Sequence, residues 1–185
     1  FEYQSLIAAL TGMDVCNASH YDGATAIAEA VSMAFANFRG KRSKVILSPA
    51  LHPQYRGTVH TYAASTPISL LGEDISPTAG PEALIPLIDL NTALVVVQYP
   101  DFFGRLYDYT KLAEEVHAAG ALLAVSVNPM ALGMLKTPGE MGADIVTGEG
   151  QTLGIPLSYG GPYLGLFTTR KEYVRKMAGR LVGET

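Results

Sequence analysis

Tryptophan is absent from the 185-residue sequence, and cysteine occurs only once, as Cys16. A single thiol excludes an internal disulfide framework and a zinc site built from several thiolates. We expect Cys16 to pack as a small buried hydrophobic residue. Charged residues are also scarce, at 16% against 48% hydrophobic residues. This composition is typical of a folded domain with buried contacts to another subunit.

An excess of positive charge and a long apolar run are also missing. The 13 Lys and Arg residues stand against 17 Asp and Glu residues, for a net charge of −4, which favours neither nucleic acid nor an anionic membrane as a partner. No run approaches the ~20 apolar residues of a membrane span, and no secretory leader is recognisable. The sequence therefore predicts a soluble, cytoplasmic protein without a nucleic-acid or membrane partner.

The length is that of one domain. The chain opens at Phe1 without a methionine and ends on Leu-Val-Gly-Glu-Thr. We therefore expect residues 1–185 to form a single α/β domain that is a fragment of a longer protein.

Periodic apolar residues predict helices and strands that alternate along the chain. Helical spacing occurs at 1–10, 23–38, 53–64 and 107–119, and short apolar runs typical of strands occur at 44–47, 68–71, 92–98, 121–127 and 143–147. The residues from Leu157 onward predict two short antiparallel strands around the turn Gly160-Gly161-Pro162, followed by a basic helix. The sequence thus predicts a three-layer α/β fold with a mostly parallel sheet, helices on both faces and a late antiparallel strand.

Ligands of open α/β sheets bind outside the carboxyl ends of the strands. The loops expected at that edge are residues 19–25, 48–52, 99–104, 128–130 and 147–154. We therefore expect any chemistry of this domain to lie in these loops.

The first of these loops, Ser19-His20-Tyr21-Asp22-Gly23-Ala24-Thr25, stands at the start of the best-defined helix. Gly23 and Ala24 leave the first backbone amides uncovered, and the helix dipole favours an anion such as phosphate there. An ordinary helix cap by Asp22, with Thr25 bonding back, explains the same pattern. Both interpretations stay open, and the nucleotide motifs GxxxxGK and GxGxxG are absent.

Four segments of the sequence resemble one known family, in the same order. They are Asn17-Ala-Ser-His-Tyr-Asp-Gly-Ala-Thr-Ala, Gln98-Tyr-Pro-Asp-Phe-Phe-Gly, Asn128-Pro-Met-Ala-Leu-Gly and Gly148-Glu-Gly-Gln-Thr-Leu-Gly-Ile-Pro-Leu-Ser-Tyr-Gly-Gly-Pro-Tyr-Leu-Gly. The family is glycine dehydrogenase (decarboxylating), the P-protein of the glycine cleavage system. The pattern is most similar to its subunit 1, the N-terminal-type half that many bacteria and archaea make as a separate chain.

The resemblance implies the large domain of the aspartate aminotransferase-like fold, of the fold type I pyridoxal phosphate family. It also implies an N-terminal segment and a small C-terminal domain outside this chain. The family enzymes are oxidoreductases of glycine catabolism. In their reaction, pyridoxal phosphate acts as an electron sink while glycine loses its carboxylate as carbon dioxide. The aminomethyl group then passes to the lipoyl arm of the H-protein.

The catalytic halves of this family need a Schiff-base lysine, an acidic partner for the pyridinium nitrogen and a phosphate site. In this chain the place of the acidic partner reads Ser126-Val-Asn128, and that of the lysine reads Gly148-Glu149-Gly150-Gln151, so neither offers the expected residue. The resemblance thus implies a vestigial cofactor site, whose candidate residues are Ser19, Tyr21, Asp22, Gly23, Ala24, Thr25, Asn128, Glu149 and Gln151.

The six lysines are Lys41, Lys44, Lys111, Lys136, Lys171 and Lys176. Lys136 alone lies between the two strands concerned, but it precedes the second one, at the wrong end for the cofactor. We therefore expect no catalytic residue and no metal ligand on this half, with the pyridoxal phosphate bound to a lysine of subunit 2. The expected partners are subunit 2, in a heterotetramer, and the lipoylated H-protein.

Two other functions stay open at this point. One is an autonomous pyridoxal phosphate-dependent aminotransferase or lyase, and the other is a scaffold subunit without a ligand. Glu149 is likewise open to two interpretations, a functional carboxylate or a solvated loop residue. His20 and His52 follow strands at the functional edge, although histidines without metal-ligand spacing are more often structural.

Overall fold

The computed structural model describes residues 1–184. Helices α1 to α4 span Glu2–Thr11, Gly23–Asn37, Pro53–Ala63 and Thr110–Ala118. Strands β1 to β7 span Val15–Cys16, Lys44–Leu47, Ser69–Leu71, Thr92–Tyr99, Leu122–Val127, Ile145–Glu149 and Gly165–Thr169. Short 3-10 helices span Pro81–Leu87, Pro129–Gly133, Gln151–Leu153 and Lys171–Lys176.

The seven strands form one sheet in the order β1-β7-β6-β5-β4-β2-β3. Strands β2 to β6 pair in parallel, whereas β7 is antiparallel to both β6 and β1. All six side chains of β5 are buried, as expected for a central strand that helices cover on both faces. The mostly parallel sheet with a late antiparallel strand confirms the fold class predicted from the sequence.

Helices α2 and α3 cover one face of the sheet. Ile27 of α2 and Val59 of α3 are fully buried there, against Leu47, Val96 and Phe167 from three strands. The side chain of Phe167 is the largest fully buried one of the described residues. This face therefore holds much of the apolar area that stabilises the fold.

Helices α1 and α4 cover the opposite face. Leu112 and Val116 of α4 pack in the cluster that contains Val125 of β5. Neighbouring residues of a strand point to opposite faces. Leu166, next to Phe167, accordingly packs with α1 and with Cys16, which is buried as predicted.

Helix α2 begins where the sequence predicts, for an identifiable reason. The Asp22 carboxylate accepts a hydrogen bond from the Thr25 N–H at 2.7 Å, and the Thr25 hydroxyl accepts one from the Asp22 N–H at 3.2 Å. This reciprocal capping box satisfies two amides that the helix itself leaves unpaired. The sequence that follows is rich in alanine, the residue with the highest intrinsic helix propensity.

Helix α1 ends at Thr11 and is capped by Gly12, whose backbone is left-handed with φ of 69°. The N–H of Gly139 donates to the carbonyl of Thr11 at 3.0 Å, so that two backbone segments lie in direct contact. A Cβ at Gly139 would lie 1.9 Å from the Gly12 carbonyl oxygen. This junction therefore needs a residue without a side chain.

Three local predictions are wrong in their details. The structure has one strand, β7, and not two around the Gly160-Gly161-Pro162 turn, because Pro156 and Pro162 have no N–H to donate to a ladder and Ser158 and Tyr159 have positive φ. The basic segment after β7 forms a 3-10 helix. The helix predicted from residue 107 begins at Thr110, whose N–H is bound by the Asp108 carboxylate at 2.9 Å.

Candidate functional site

The carboxyl ends of the parallel strands meet the start of α2 at two adjoining clefts. Their volumes are about 340 Å³ and 180 Å³. Both are lined by His52, Tyr55 and Glu149. The first cleft is also lined by Asp22, Gly23, Ala24, Gln54, Thr58 and Tyr163, and the second by Gln98, Ser126, Val127, Asn128 and Thr152.

The carboxylate of Glu149, at the end of β6, is the best-bonded group of this site. Its Oε2 accepts a hydrogen bond from the N–H of Gly23 at 3.0 Å. Its Oε1 accepts from the N–H of Gln151 at 2.9 Å and from that of Leu164 at 2.8 Å. Glu149 is therefore not a solvated loop residue, because it joins the start of α2 to both ends of the loop between β6 and β7.

Gly23 lies in a tight space between Glu149 and Tyr55. A Cβ built on Gly23 would meet the Tyr55 hydroxyl at 2.8 Å, the Glu149 backbone nitrogen at 3.1 Å and the Glu149 Cβ at 3.2 Å. Burial, together with the nearby carboxylates of Glu149 and Asp22, raises the pKa of Tyr55 to about 12. Tyr55 therefore keeps its proton at neutral pH.

Sequence reasoning missed Tyr55. A signal for it exists, because Pro53 starts α3 directly after the loop at the carboxyl end of β2, and the first turn of such a helix borders the site. Tyr163 precedes β7 in an irregular loop and has no comparable signal.

Side chains of neighbouring strands fix the floor of the second cleft. The Gln98 amide accepts a hydrogen bond from the His52 N–H at 2.9 Å and donates to the Pro100 carbonyl at 3.2 Å. The side-chain Oδ1 of Asn128 accepts from the Met130 N–H at 3.1 Å. Burial lowers the pKa of His52, so its imidazole is neutral at pH 7.

Four candidate residues, Ser19, Tyr21, Thr25 and Gln151, do not line these clefts. Ser19 and Tyr21 line a separate cleft of about 410 Å³, with His20 and residues 160–164. The side chain of Gln151 points along its own loop, with the amide nitrogen 3.5 Å from the Pro156 carbonyl. The structure thus brings together Asp22, Gly23, Ala24, Asn128 and Glu149, while the Thr25 hydroxyl is held in the helix cap.

His20 is held neutral beside this edge of the sheet. Its ring stacks on Phe167 with 5.2 Å between centroids, and its Nδ1 lies 2.7 Å from the Asn17 amide nitrogen. That amide nitrogen also donates to the Ala178 carbonyl at 3.0 Å, which fixes the amide orientation. An amide N–H can only donate, so the His20 Nδ1 accepts and the ring proton lies on Nε2.

We expect His20 to titrate below the ordinary histidine value of 6.5, because burial lowers its pKa and protonation of Nδ1 breaks the bond to Asn17. His20 of the unfolded chain therefore binds a proton more readily than His20 of the folded chain. The contribution of His20 to stability is therefore complete above pH 6.5 and declines as the pH falls towards the folded pKa. An NMR titration of the His20 ring signal measures this, and a folded-state pKa of 6.5 or higher would contradict it.

The residues at the clefts do not fit the cofactor that the resemblance implies. Two of the first three N–H groups of α2, those of Gly23 and Thr25, are bound by the carboxylates of Glu149 and Asp22. Within residues 1–184, no lysine lines either cleft, and Lys136 pairs with Asp108 at 3.0 Å. No group of three metal-ligating side chains and no helix able to cross a membrane occurs in the same range.

Comparison with known proteins agrees with this architecture. Probable glycine dehydrogenase (decarboxylating) subunit 1 of Desulforamulus reducens is 56% identical over 191 residues, which cover 100% of this chain and 41% of that protein. The protein of the same name from Thermomicrobium roseum is 51% identical, with 100% and 42% covered. The chain thus spans about two fifths of the length of these relatives.

Solved structures give the same result. A crystal structure of the glycine decarboxylase (P-protein) of the glycine cleavage system, in inhibitor-bound form, matches with a TM-score of 0.92 at 43% identity, over 100% of this chain and 41% of that one. A cystathionine gamma-lyase from Lactobacillus plantarum, complexed with L-serine, matches with a TM-score of 0.73 at 18% identity, over 94% and 42%, which shows a shared fold alone. The family model of the glycine cleavage system P-protein matches residues 1–185, and the chain belongs to this family.

Proposed function

We propose that this chain is part of subunit 1 of a glycine dehydrogenase (decarboxylating). In this proposal, subunit 1 and subunit 2 form a cytoplasmic heterotetramer that removes carbon dioxide from glycine and passes the aminomethyl group to the lipoylated H-protein. The observation that carries it is the identity of 56% with a subunit 1 over 100% of the chain. Residues 1–185 correspond to the large domain of that longer subunit.

The site geometry supports a non-catalytic role for this half. None of the described lysines lines the clefts at the carboxyl edge. At the end of β5, where the catalytic halves have an acidic partner for the pyridinium nitrogen, this chain has Asn128, whose neutral side-chain amide caps a 3-10 helix. In our proposal the pyridoxal phosphate is bound to a lysine of subunit 2, where it supplies the electron sink.

In this proposal the residues of this chain maintain the structure of the two clefts and do not contact the reacting atoms. Gln98 and Asn128 hold their loops by hydrogen bonds to the backbone. The neutral His52 and the protonated Tyr55 line both clefts without bringing a charge to them. We propose that the candidate residues at the start of α2 form a vestigial phosphate site. Their present role is to cap and position this helix.

The test is a glycine decarboxylation or carbon dioxide exchange assay of the full-length parent chain, alone and mixed with subunit 2, with pyridoxal phosphate and H-protein present. We expect activity in the mixture only. Reduction of the same samples with borohydride fixes the cofactor on its lysine, and we expect the pyridoxyl label on subunit 2.

The other outcomes separate the competing functions. Activity of the parent chain alone, with a pyridoxyl label on one of its own lysines, would contradict the proposal and favour an autonomous pyridoxal phosphate enzyme. Association with subunit 2 without any increase of activity would favour a scaffold subunit.

A further inference from the structure

Three backbone donors from three different segments converge on the single carboxylate of Glu149. Gly23 is the first residue of α2, Gln151 begins the loop after β6, and Leu164 ends that loop before β7. All three N–H to oxygen distances lie between 2.8 and 3.0 Å. Hydrogen bonds to an ionised acceptor are about twice as strong as neutral ones.

This carboxylate lies where a bound anion would lie. The start of a helix carries about half a positive charge and exposes N–H groups, so it attracts an anion. In α2, Oε2 of Glu149 accepts a hydrogen bond from the first of these groups, the N–H of Gly23. The nitrogen and Cβ of Glu149 also lie within about 3.2 Å of the position of a Gly23 Cβ. The Gly23 N–H is thus already bound to a carboxylate of the same chain.

A second negative charge lies at the same place. The Asp22 carboxylate caps α2 through the Thr25 N–H at 2.7 Å. A phosphate that approached this helix start would meet two carboxylates, Asp22 and Glu149, and the like charges would repel it.

We infer that Glu149 is a positioning residue that serves as an internal anion at the start of α2. It takes the place of a ligand phosphate, keeps the loop between β6 and β7 closed without a cofactor, and disfavours phosphate binding at this helix start. The inference rests on the proposed function, in which this half works without its own pyridoxal phosphate.

The inference predicts that removal of the carboxylate creates a phosphate site. We expect Glu149→Ala, in the full-length parent chain, to bind inorganic phosphate at least about tenfold more tightly than the wild-type chain, since the N–H groups and the helix dipole are then free. Isothermal titration calorimetry at constant ionic strength measures the affinity, and the amide NMR signal of Gly23 reports the place of binding.

A second readout is thermal unfolding. Glu149→Ala is expected to lower the unfolding midpoint by roughly 5 °C, because three partly buried N–H donors lose their acceptor, and phosphate is expected to restore part of this loss. Glu149→Gln keeps the volume and one acceptor oxygen while it removes the charge, and it serves if the alanine variant does not fold. The matched control is Glu140→Ala, since Glu140 accepts an N–H only within its own turn, and phosphate should not stabilise this variant.

A purely structural role of Glu149 does not produce phosphate binding in a variant. The inference is wrong if wild type and Glu149→Ala bind phosphate equally, if phosphate leaves the Gly23 signal of the variant unchanged, or if Glu149→Gln unfolds at the wild-type midpoint and binds no phosphate. These results do not depend on the activity of the mixture with subunit 2, so a failure here is distinct from a failure of the proposed function.

Discussion

Replacement of Gly139 by alanine is expected to destabilise the protein by about 3 kcal/mol. The added methyl group would lie 1.9 Å from the Gly12 carbonyl oxygen and 2.9 Å from the Gly12 Cα. Neither partner can move at low cost. Gly12 is held by hydrogen bonds from its N–H to the carbonyls at the end of α1, and the Gly139 carbonyl accepts a hydrogen bond from the Arg170 guanidinium.

Chemical denaturation of the full-length chain, followed by circular dichroism, measures this loss. Gly57→Ala is the matched control, since Gly57 lies in α3 with nothing within 4 Å of the new Cβ. This control should stabilise the protein by up to about 1 kcal/mol, because alanine loses less conformational entropy in a helix than glycine. Equal midpoints for Gly139→Ala and wild type would contradict the close approach of α1 and the turn before β6.

Replacement of Phe167 by alanine is expected to destabilise the protein by about 4 kcal/mol. The Phe167 side chain of β7 is fully buried against α2, and the His20 ring stacks on it. Removal of the ring leaves a cavity that the strand and helix cannot close, so the lost transfer energy and the lost contacts add.

The matched variant is Phe167→Leu, which keeps most of the volume and should cost only about 1.5 kcal/mol. The same denaturation experiment compares the two variants. Similar losses for both would mean that the neighbouring side chains collapse into the space, which would contradict tight packing at this position.

The main elements of this fold could be predicted because their signals are local. The strand at Lys44–Leu47 and the helix start at Gly23 are fixed by a short apolar run and by the Asp22 capping box, respectively. The meeting of the loops at one edge also follows from the sequence, since the carboxyl ends of parallel strands share an edge. Two strands are predicted around the Gly160-Gly161-Pro162 turn where the structure has only β7, because apolar residues around a glycine turn do not show which backbone groups find a partner.

The contacts of the candidate site are not local, and the sequence does not specify them in the same way. Glu149 bonds to Gly23, 126 residues away along the chain. Ser19 and Tyr21 share a loop with Asp22, yet they line a different cleft because the chain turns into α2 at Gly23. Their separation depends on how β7 passes beside that loop, where His20 and Gly165 form an isolated bridge.

The connection between β6 and β7 returns to the point from which it leaves the sheet. Glu149 and Gly165 are register partners, and the Glu149 carboxylate holds both Gln151 and Leu164. The entropy of loop closure is therefore determined at this base, and doubling the length of the loop would add only about 0.6 kcal/mol. A change of length within residues 152–163 is therefore expected to cost little folding free energy, while the sheet edge below keeps its geometry.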